Sequence, residues 1–118
     1  MESILTSIKK MLGIEESYEH FDMDIIMHIN SALFTLTQIG VGPIDGFIVS
    51  DDTQTWDQFI PENQRIEAVK SYVYAKVRLI FDPPTNSSLI KLLESQIAEY
   101  EWRLSLPPTI KQDGEEVS

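Results

Sequence analysis

The chain has 118 residues, of which 42% are hydrophobic and 24% charged, and this balance predicts one globular domain, not a disordered or fibrous chain. It contains no cysteine, which excludes disulfides, thiolate metal sites and a cysteine nucleophile, and favours a reducing compartment. We expect neither export nor membrane insertion, because no signal-peptide pattern is present and no apolar run approaches the ~20 residues that cross a bilayer.

The net charge of -10 is concentrated in the N-terminal half. Residues 1–62 hold 11 acidic and 2 basic residues, whereas residues 63–118 hold 8 acidic and 7 basic residues. An acidic surface repels phosphate backbones, and nucleic-acid binding draws on clustered lysine and arginine. The charge therefore disfavours direct DNA binding.

Apolar residues at helical spacing predict two helices in the first third of the chain. The first covers residues 3–12, with Lys9 and Lys10 near its end, where cations interact favourably with the helix dipole. The second covers residues 22–39, and Asp22 is predicted to be its N-cap.

A long loop is predicted to follow the second helix. Residues 40–46 read Gly-Val-Gly-Pro-Ile-Asp-Gly, which ends any helix before it. The β-prone run at 47–49 could form a short strand, and residues 53–59 could form one helical turn opened by Thr55.

Two long helices are predicted in the C-terminal half. Pro61 suits the first turn of a helix that continues to Phe81. Its apolar side chains form one row of Ile66, Val69, Val73, Val77 and Ile80, and a second row of Ala68, Tyr72, Ala75 and Leu79. Two rows indicate a helix that is either central in the bundle or shared between subunits.

The Asp82-Pro83-Pro84 segment ends that helix, and Asn86 or Ser87 is predicted to cap the next one. The apolar row of this last helix is Leu89, Leu92, Leu93, Ile97, Tyr100 and Leu104. A connection of about five residues predicts an antiparallel hairpin. The predicted fold is all-α, a small bundle of about four helices over residues 1–106, followed by a flexible C-terminal tail at 107–118.

Features that could carry chemistry have simpler interpretations. His20, Asp24 and His28 recur every four residues, so one continuous helix would place them together as metal ligands. However, His20 precedes the predicted helix, and the glutamate that zinc hydrolases place between their histidines is missing. No glycine loop leads into a Lys-Ser or Lys-Thr pair, and Asp51-Asp52 is more simply a solvated loop pair. We therefore predict no catalytic, cofactor-binding or metal-binding residue.

Apolar residues in the loop, the last helix and the tail are candidates for a protein interface, since buried aromatic residues dominate binding hot spots. For Trp56 and Trp102 the alternative is that they close the ends of the core. The candidates are Phe47, Ile48, Trp56, Phe59, Trp102, Pro107, Pro108 and Ile110.

Several landmarks follow one another along residues 3–106. They are the Ile8–Ile14 segment, the Phe21–Asn30 segment, the Gly40–Pro43 break, Trp56, and the Phe81–Pro84 hinge before Glu101–Leu104. Their order and spacing resemble the phage head-tail connector family, also called adaptor or head completion proteins, of tailed phages and prophages. The resemblance implies a non-catalytic helical subunit of a ring of about 12 copies that docks beneath the portal protein and extends the DNA channel.

The resemblance also implies a virion component, assembled in the host cytoplasm, that offers a docking surface to a further connector, stopper or tail protein. DNA would pass through the channel without sequence-specific binding, since carboxylates repel its backbone. Residues 40–59 and the tail would contact neighbours, and an isolated subunit could be monomeric. A small acidic binding module, acting as a DNA mimic or as an inhibitor of a basic partner, remains an alternative.

Overall fold

The computed structural model describes residues 2–61 and 65–106, and these two ranges form five helices with no strand. The helices are α1 (Ile4–Met11), α2 (Asp22–Gln38), α3 (Trp56–Phe59), α4 (Ile66–Phe81) and α5 (Ser87–Ser105). The predicted small all-α bundle is therefore confirmed. No helix in the described ranges is long and apolar enough to cross a membrane.

Helix α4 is the central helix of the bundle, because α2 and α5 each pack along it and α1 also contacts it. Its buried side chains are Ile66, Val69, Tyr72, Val73, Ala75 and Val77, which occupy most of the helix circumference. This confirms the first of the two interpretations of the apolar rows, a helix that is central in the bundle. The first row ends at Val77, however, because Ile80 lies in the last turn, at the rim of the bundle, and is exposed.

Helices α4 and α5 form the predicted antiparallel hairpin. The Tyr72 hydroxyl donates to Glu101 Oε2 at 2.7 Å, and Arg65 Nη2 donates to the carbonyl oxygen of Leu104 at 2.7 Å. Burial raises the pKa of Tyr72 well above its usual value, and the carboxylate of Glu101 raises it further. The phenol therefore stays protonated and serves as the donor that joins the two helices.

The helix caps follow the sequence at two positions. Ser3 caps α1, where its hydroxyl accepts from the backbone N–H of Thr6, and Asn86, not Ser87, caps α5. At α3, the Gln58 side chain accepts from the backbone N–H of Thr55, as expected for a helical turn opened by Thr55.

Two predicted helix starts are wrong. Asp22 is the first residue of α2 and not its N-cap, because its carboxylate is turned towards Lys9 instead of the helix end. Pro61 is not part of α4, which begins at Ile66. Ile60, the residue before this proline, is buried in an extended conformation, which proline favours in its predecessor. Residues 62–64 lie outside the described ranges.

Lys9 is buried, with only 2% of its surface exposed, although it lies in the last turn of α1. Its Nζ donates to the carbonyl oxygens of Glu16 and Tyr18 at 2.9 and 2.7 Å, and lies 2.8 Å from Asp22 Oδ1. The ammonium thus donates to two backbone carbonyls, and the carboxylate of Asp22 balances its charge as an ion pair. One side chain thus ties α1, the turn that follows it and the first residue of α2 together.

Residues 47–49 belong to the predicted loop and do not form the short strand that was possible there, because a side chain takes the place of a partner strand. Asn30 on α2 donates from Nδ2 to the carbonyl oxygen of Val49 at 2.9 Å. Its Oδ1 accepts from the backbone N–H of Val49 at 2.8 Å. These two bonds satisfy the backbone of Val49 and hold the loop against α2.

Trp56 joins the end of the loop to the start of α1. Its indole Nε1–H donates to Ser7 Oγ at 2.7 Å, in a buried position, and its backbone N–H donates to the carbonyl oxygen of Glu2 at 3.3 Å. A second backbone bond runs from Ile4 N–H to the carbonyl oxygen of Gln54 at 3.0 Å. The loop is therefore attached to α2 at Val49 and to α1 at Gln54 and Trp56.

Gly42 lets the loop pass directly over the core. Its φ is +92°, and a Cβ at this position would lie 2.5 Å from Cε1 of Phe59. Gly46 has a similar φ of +90°, but nothing lies within 4 Å of the point that its Cβ would occupy. The two glycines therefore share a backbone requirement, and only Gly42 has a packing requirement as well.

We predict that Lys9→Met lowers the free energy of unfolding by about 3 kcal/mol, because it leaves the partly buried carboxylate of Asp22 and two carbonyl groups without their partner. Urea unfolding measures the effect. Lys10→Met is the matched control, since Lys10 is exposed, and it should change stability by less than about 0.5 kcal/mol. Equal effects of the two substitutions would contradict the role given to Lys9.

We predict that Gly42→Ala is more destabilising than Gly46→Ala. The Gly46 substitution carries only the strain of a positive φ, about 1 kcal/mol, whereas the Gly42 substitution must also displace the ring of Phe59, which adds about 1–3 kcal/mol. Thermal or urea unfolding of both variants measures the difference. A Gly42→Ala variant as stable as the Gly46→Ala variant would show that the contact with Phe59 is unimportant.

Candidate assembly surfaces

Helix α2 exposes large apolar side chains on the face opposite its buried row. The buried row is Ile25, Ile29, Ala32, Leu33 and Leu36. Met23, Met27 and Phe34 are 84%, 60% and 63% exposed, and at 3.6 residues per turn they fall within ~40° of one another around the helix axis. We call these three residues the α2 stripe.

A second exposed apolar surface lies at the end of the α4–α5 hairpin. Ile80 in the last turn of α4, and Leu89 and Leu92 in the first turns of α5, are all exposed. We call these three residues the hairpin-end patch. The predicted apolar row of α5 is therefore only partly internal: Leu104 is buried and Ile97 and Tyr100 are half-buried against the core, but Leu89 and Leu92 are outside it.

The loop candidates for a protein interface divide into buried and exposed residues. Trp56 and Phe59 are 0% and 1% exposed, so they belong to the core, which is the alternative interpretation given for Trp56. Phe47 is half-buried, with its ring centroid 5.6 Å from that of Phe59. Ile48 is exposed, as is Ile44 at the turn before it.

The remaining interface candidates lie towards the C-terminus. Trp102 is exposed on α5, so it does not close the core. Pro107, Pro108 and Ile110 lie outside the described ranges. An interface role for Ile48 and Trp102 stays a prediction.

The exposed faces of α2 and of the hairpin end were not predicted from the sequence, because apolar residues at helical spacing indicate an inward face first. A signal was present in α2, where apolar residues occupy the outer face as well as the inner one. A helix that is apolar on most sides is usually buried on most sides. In α2 this pattern indicates a face that needs a partner.

An aromatic group lies at the start of α2. The rings of Tyr18, His20 and Phe21 contact one another, with the His20 and Phe21 centroids 4.8 Å apart, and Phe21 also contacts Phe81 at 5.3 Å. His20 thus lies in the turn before α2 and packs against aromatic rings. Within the described ranges, no group of three or more histidine or carboxylate side chains could hold a metal ion.

Charge is divided between the two parts of the bundle. Residues 2–61 hold ten acidic and two basic residues, and one of the basic residues is the buried Lys9. Residues 65–106 hold five acidic and six basic residues. A shallow depression beside Met23 is lined by Glu19, Asp22, Asp51 and Asp52. Hydrogen bonds from Thr53 hold the pKa of Asp51 below its usual value, so this part of the surface stays negative.

Exposed charges flank both apolar surfaces along the sequence. Asp24 follows Met23 on α2, whereas the residues that flank the hairpin-end patch are Asp82, Lys91 and Glu94. None of these four residues forms an ion pair with another residue of the described ranges. The α2 stripe is therefore flanked by acidic charge, and the hairpin-end patch by charges of both signs.

The fold and these surfaces define a small all-α protein whose exposed apolar helix faces suit assembly with other protein chains. A family model described as Phage connector protein matches residues 4–109, which is most of the chain, so the chain belongs to the phage connector protein family. No curated protein and no solved structure matches it. Family membership supports a phage connector role, implies a component of the virion and suggests assembly with other proteins of the particle.

We predict that adjacent substitutions on α2 have very different effects on the isolated protein. Leu33→Ala should lower the free energy of unfolding by about 2–5 kcal/mol, because Leu33 is fully buried. Phe34→Ala should change it by less than about 0.5 kcal/mol, because Phe34 is mostly exposed. Urea unfolding checks both values. A large loss of stability for Phe34→Ala would mean that this ring is a core residue and not part of a free surface.

Proposed function

We propose that this chain is a structural subunit of a head-tail connector ring in a tailed phage. The ring docks beneath the portal protein, extends the DNA channel and provides the attachment surface for a further connector, stopper or tail protein. The subunit carries out no catalysis and is assembled in the host cytoplasm. The family match supports a connector role, and the surfaces of the bundle support the ring.

The observation that carries the proposal is the exposure of the α2 stripe and the hairpin-end patch. Burying one side chain of the size of Phe34 or Leu92 is favourable by about 1.5–3 kcal/mol. Two apolar surfaces on so small a bundle therefore favour association with other chains over a permanent monomer. A single surface would be enough for a dimer, whereas a ring subunit needs two.

The acidic part of the chain supports the channel role. Carboxylates repel the DNA backbone at short range, so an acidic lining allows DNA to slide through without adhering. Residues 2–61 provide such a surface, with Glu19, Asp51 and Asp52 close together beside α2. In the proposed ring, part of this acidic surface faces the channel.

The acidic depression also favours a second candidate function, a small acidic module that binds a basic protein. Asp22 is paired with Lys9, but the other three carboxylates around this shallow surface, Glu19, Asp51 and Asp52, could mimic a stretch of phosphates or pair with clustered lysine and arginine. This candidate requires one-to-one binding to a basic partner and needs no ring. The mass of the assembled species therefore distinguishes the two functions.

We predict that light scattering of the purified protein, alone and with the portal protein of the same phage, detects rings of about 12 copies or assembly that depends on the portal. Negative-stain images of the large species should show the rings. The matched variants are Phe34→Asp and Ala98→Asp, which both place a carboxylate at an exposed helical position. Only Phe34 lies in the α2 stripe, whereas Ala98 lies on the side of α5 away from Leu89 and Leu92, so only Phe34→Asp should reduce assembly. A strict monomer or dimer that ignores the portal would contradict the proposal and favour the acidic module.

A further inference from the structure

We infer that the α2 stripe of one copy docks on the hairpin-end patch of the next copy. The inference rests on the proposed ring and names the two surfaces that form it. The occupant of each surface is a second copy of this chain.

The positions of the two surfaces in the bundle fit a ring. The α2 stripe points away from the core, opposite the side chains that pack towards α4. The hairpin-end patch lies on the other helix pair, where α5 has α4 as its main packing partner. Two different surfaces on one subunit form a head-to-tail contact, and head-to-tail contacts generate rings when the rotation closes.

The charges disfavour the pairing of two α2 stripes. Helix α2 contains two acidic residues and no lysine or arginine, so pairing two α2 stripes would bring like charges together. Pairing the α2 stripe with the hairpin-end patch instead brings α2 towards a surface with charges of both signs, because Lys91 accompanies Asp82 and Glu94 there. Residues 65–106 also hold one more basic than acidic residue. This pairing therefore brings fewer like charges together than the pairing of two α2 stripes.

The side chains also match in kind. Methionine is unbranched and polarisable, so Met23 and Met27 can fit around the branched ends of Leu89 and Leu92. Phe34 supplies an aromatic ring of the type that dominates interface energetics. The apolar residues would form the centre of the contact, and the charged residues that flank them its polar rim.

Cysteine cross-linking tests this arrangement directly, because the chain has no cysteine of its own. The variants are Met27→Cys, Leu92→Cys and the double variant, each assembled with the portal protein and treated with a short thiol-reactive cross-linker. The double variant should give a ladder of covalent multimers up to the closed ring. An equal mixture of the two single variants should stop at dimers, since each copy then carries only one of the two thiols.

The matched control is the double variant Met27→Cys with Glu67→Cys, because Glu67 is exposed in the first turn of α4, at the far end of the hairpin from Ile80. It should give about tenfold less multimer than Met27→Cys with Leu92→Cys, since cross-linking requires close approach. Efficient self-linking of Met27→Cys alone would overturn the inference in favour of paired α2 stripes. If light scattering detects rings but the double variant gives no ladder, the inference is overturned and the proposed function stands. If the unsubstituted protein forms no rings with the portal protein, both are overturned.

Discussion

The burial of α4 on most of its circumference is the constraint on which the rest of the structure depends. A chain of this length supplies one central helix and covers it with α2 and α5, with α1 completing the core. The two outer helices then have one main packing partner each. Their apolar side chains therefore divide between an inner face that stabilises the bundle and an outer face that remains in water, including Phe34 and Leu92. The exposed surfaces are a consequence of how the core is filled.

Polar contacts then attach the irregular segments to this core. Lys9 fixes the turn between α1 and α2, Asn30 holds the loop at Val49, and Trp56 joins the loop to α1 through Ser7. Each contact satisfies backbone or side-chain groups that would otherwise be buried without partners, which is unfavourable by about 1–3 kcal/mol per group. The loop is thereby held in one conformation, with Ile44 and Ile48 directed to solvent.

The helices were predictable from the sequence because their periodicity and caps are local signals, as at Asn86 and at the hinge before it. The tertiary roles of Lys9, Asp22 and Asn30 were not, because each depends on a partner from another segment that no local pattern identifies. The interface candidates likewise depend on tertiary packing. An aromatic residue such as Trp56 suits a core and an interface equally well, and only the packing places it in the core. The α2 stripe could be identified only once the inward face of α2 was known.

In the assembled connector, the outer face of α2 should be covered by another copy of the chain. Hydroxyl-radical footprinting of the free protein and of the portal-bound assembly measures this directly, since methionine and phenylalanine side chains react readily when exposed. Oxidation of Met23, Met27 and Phe34 is expected to fall in the assembly, along with that of Leu89 and Leu92. Unchanged oxidation of the α2 stripe in an assembly that otherwise forms would contradict this arrangement.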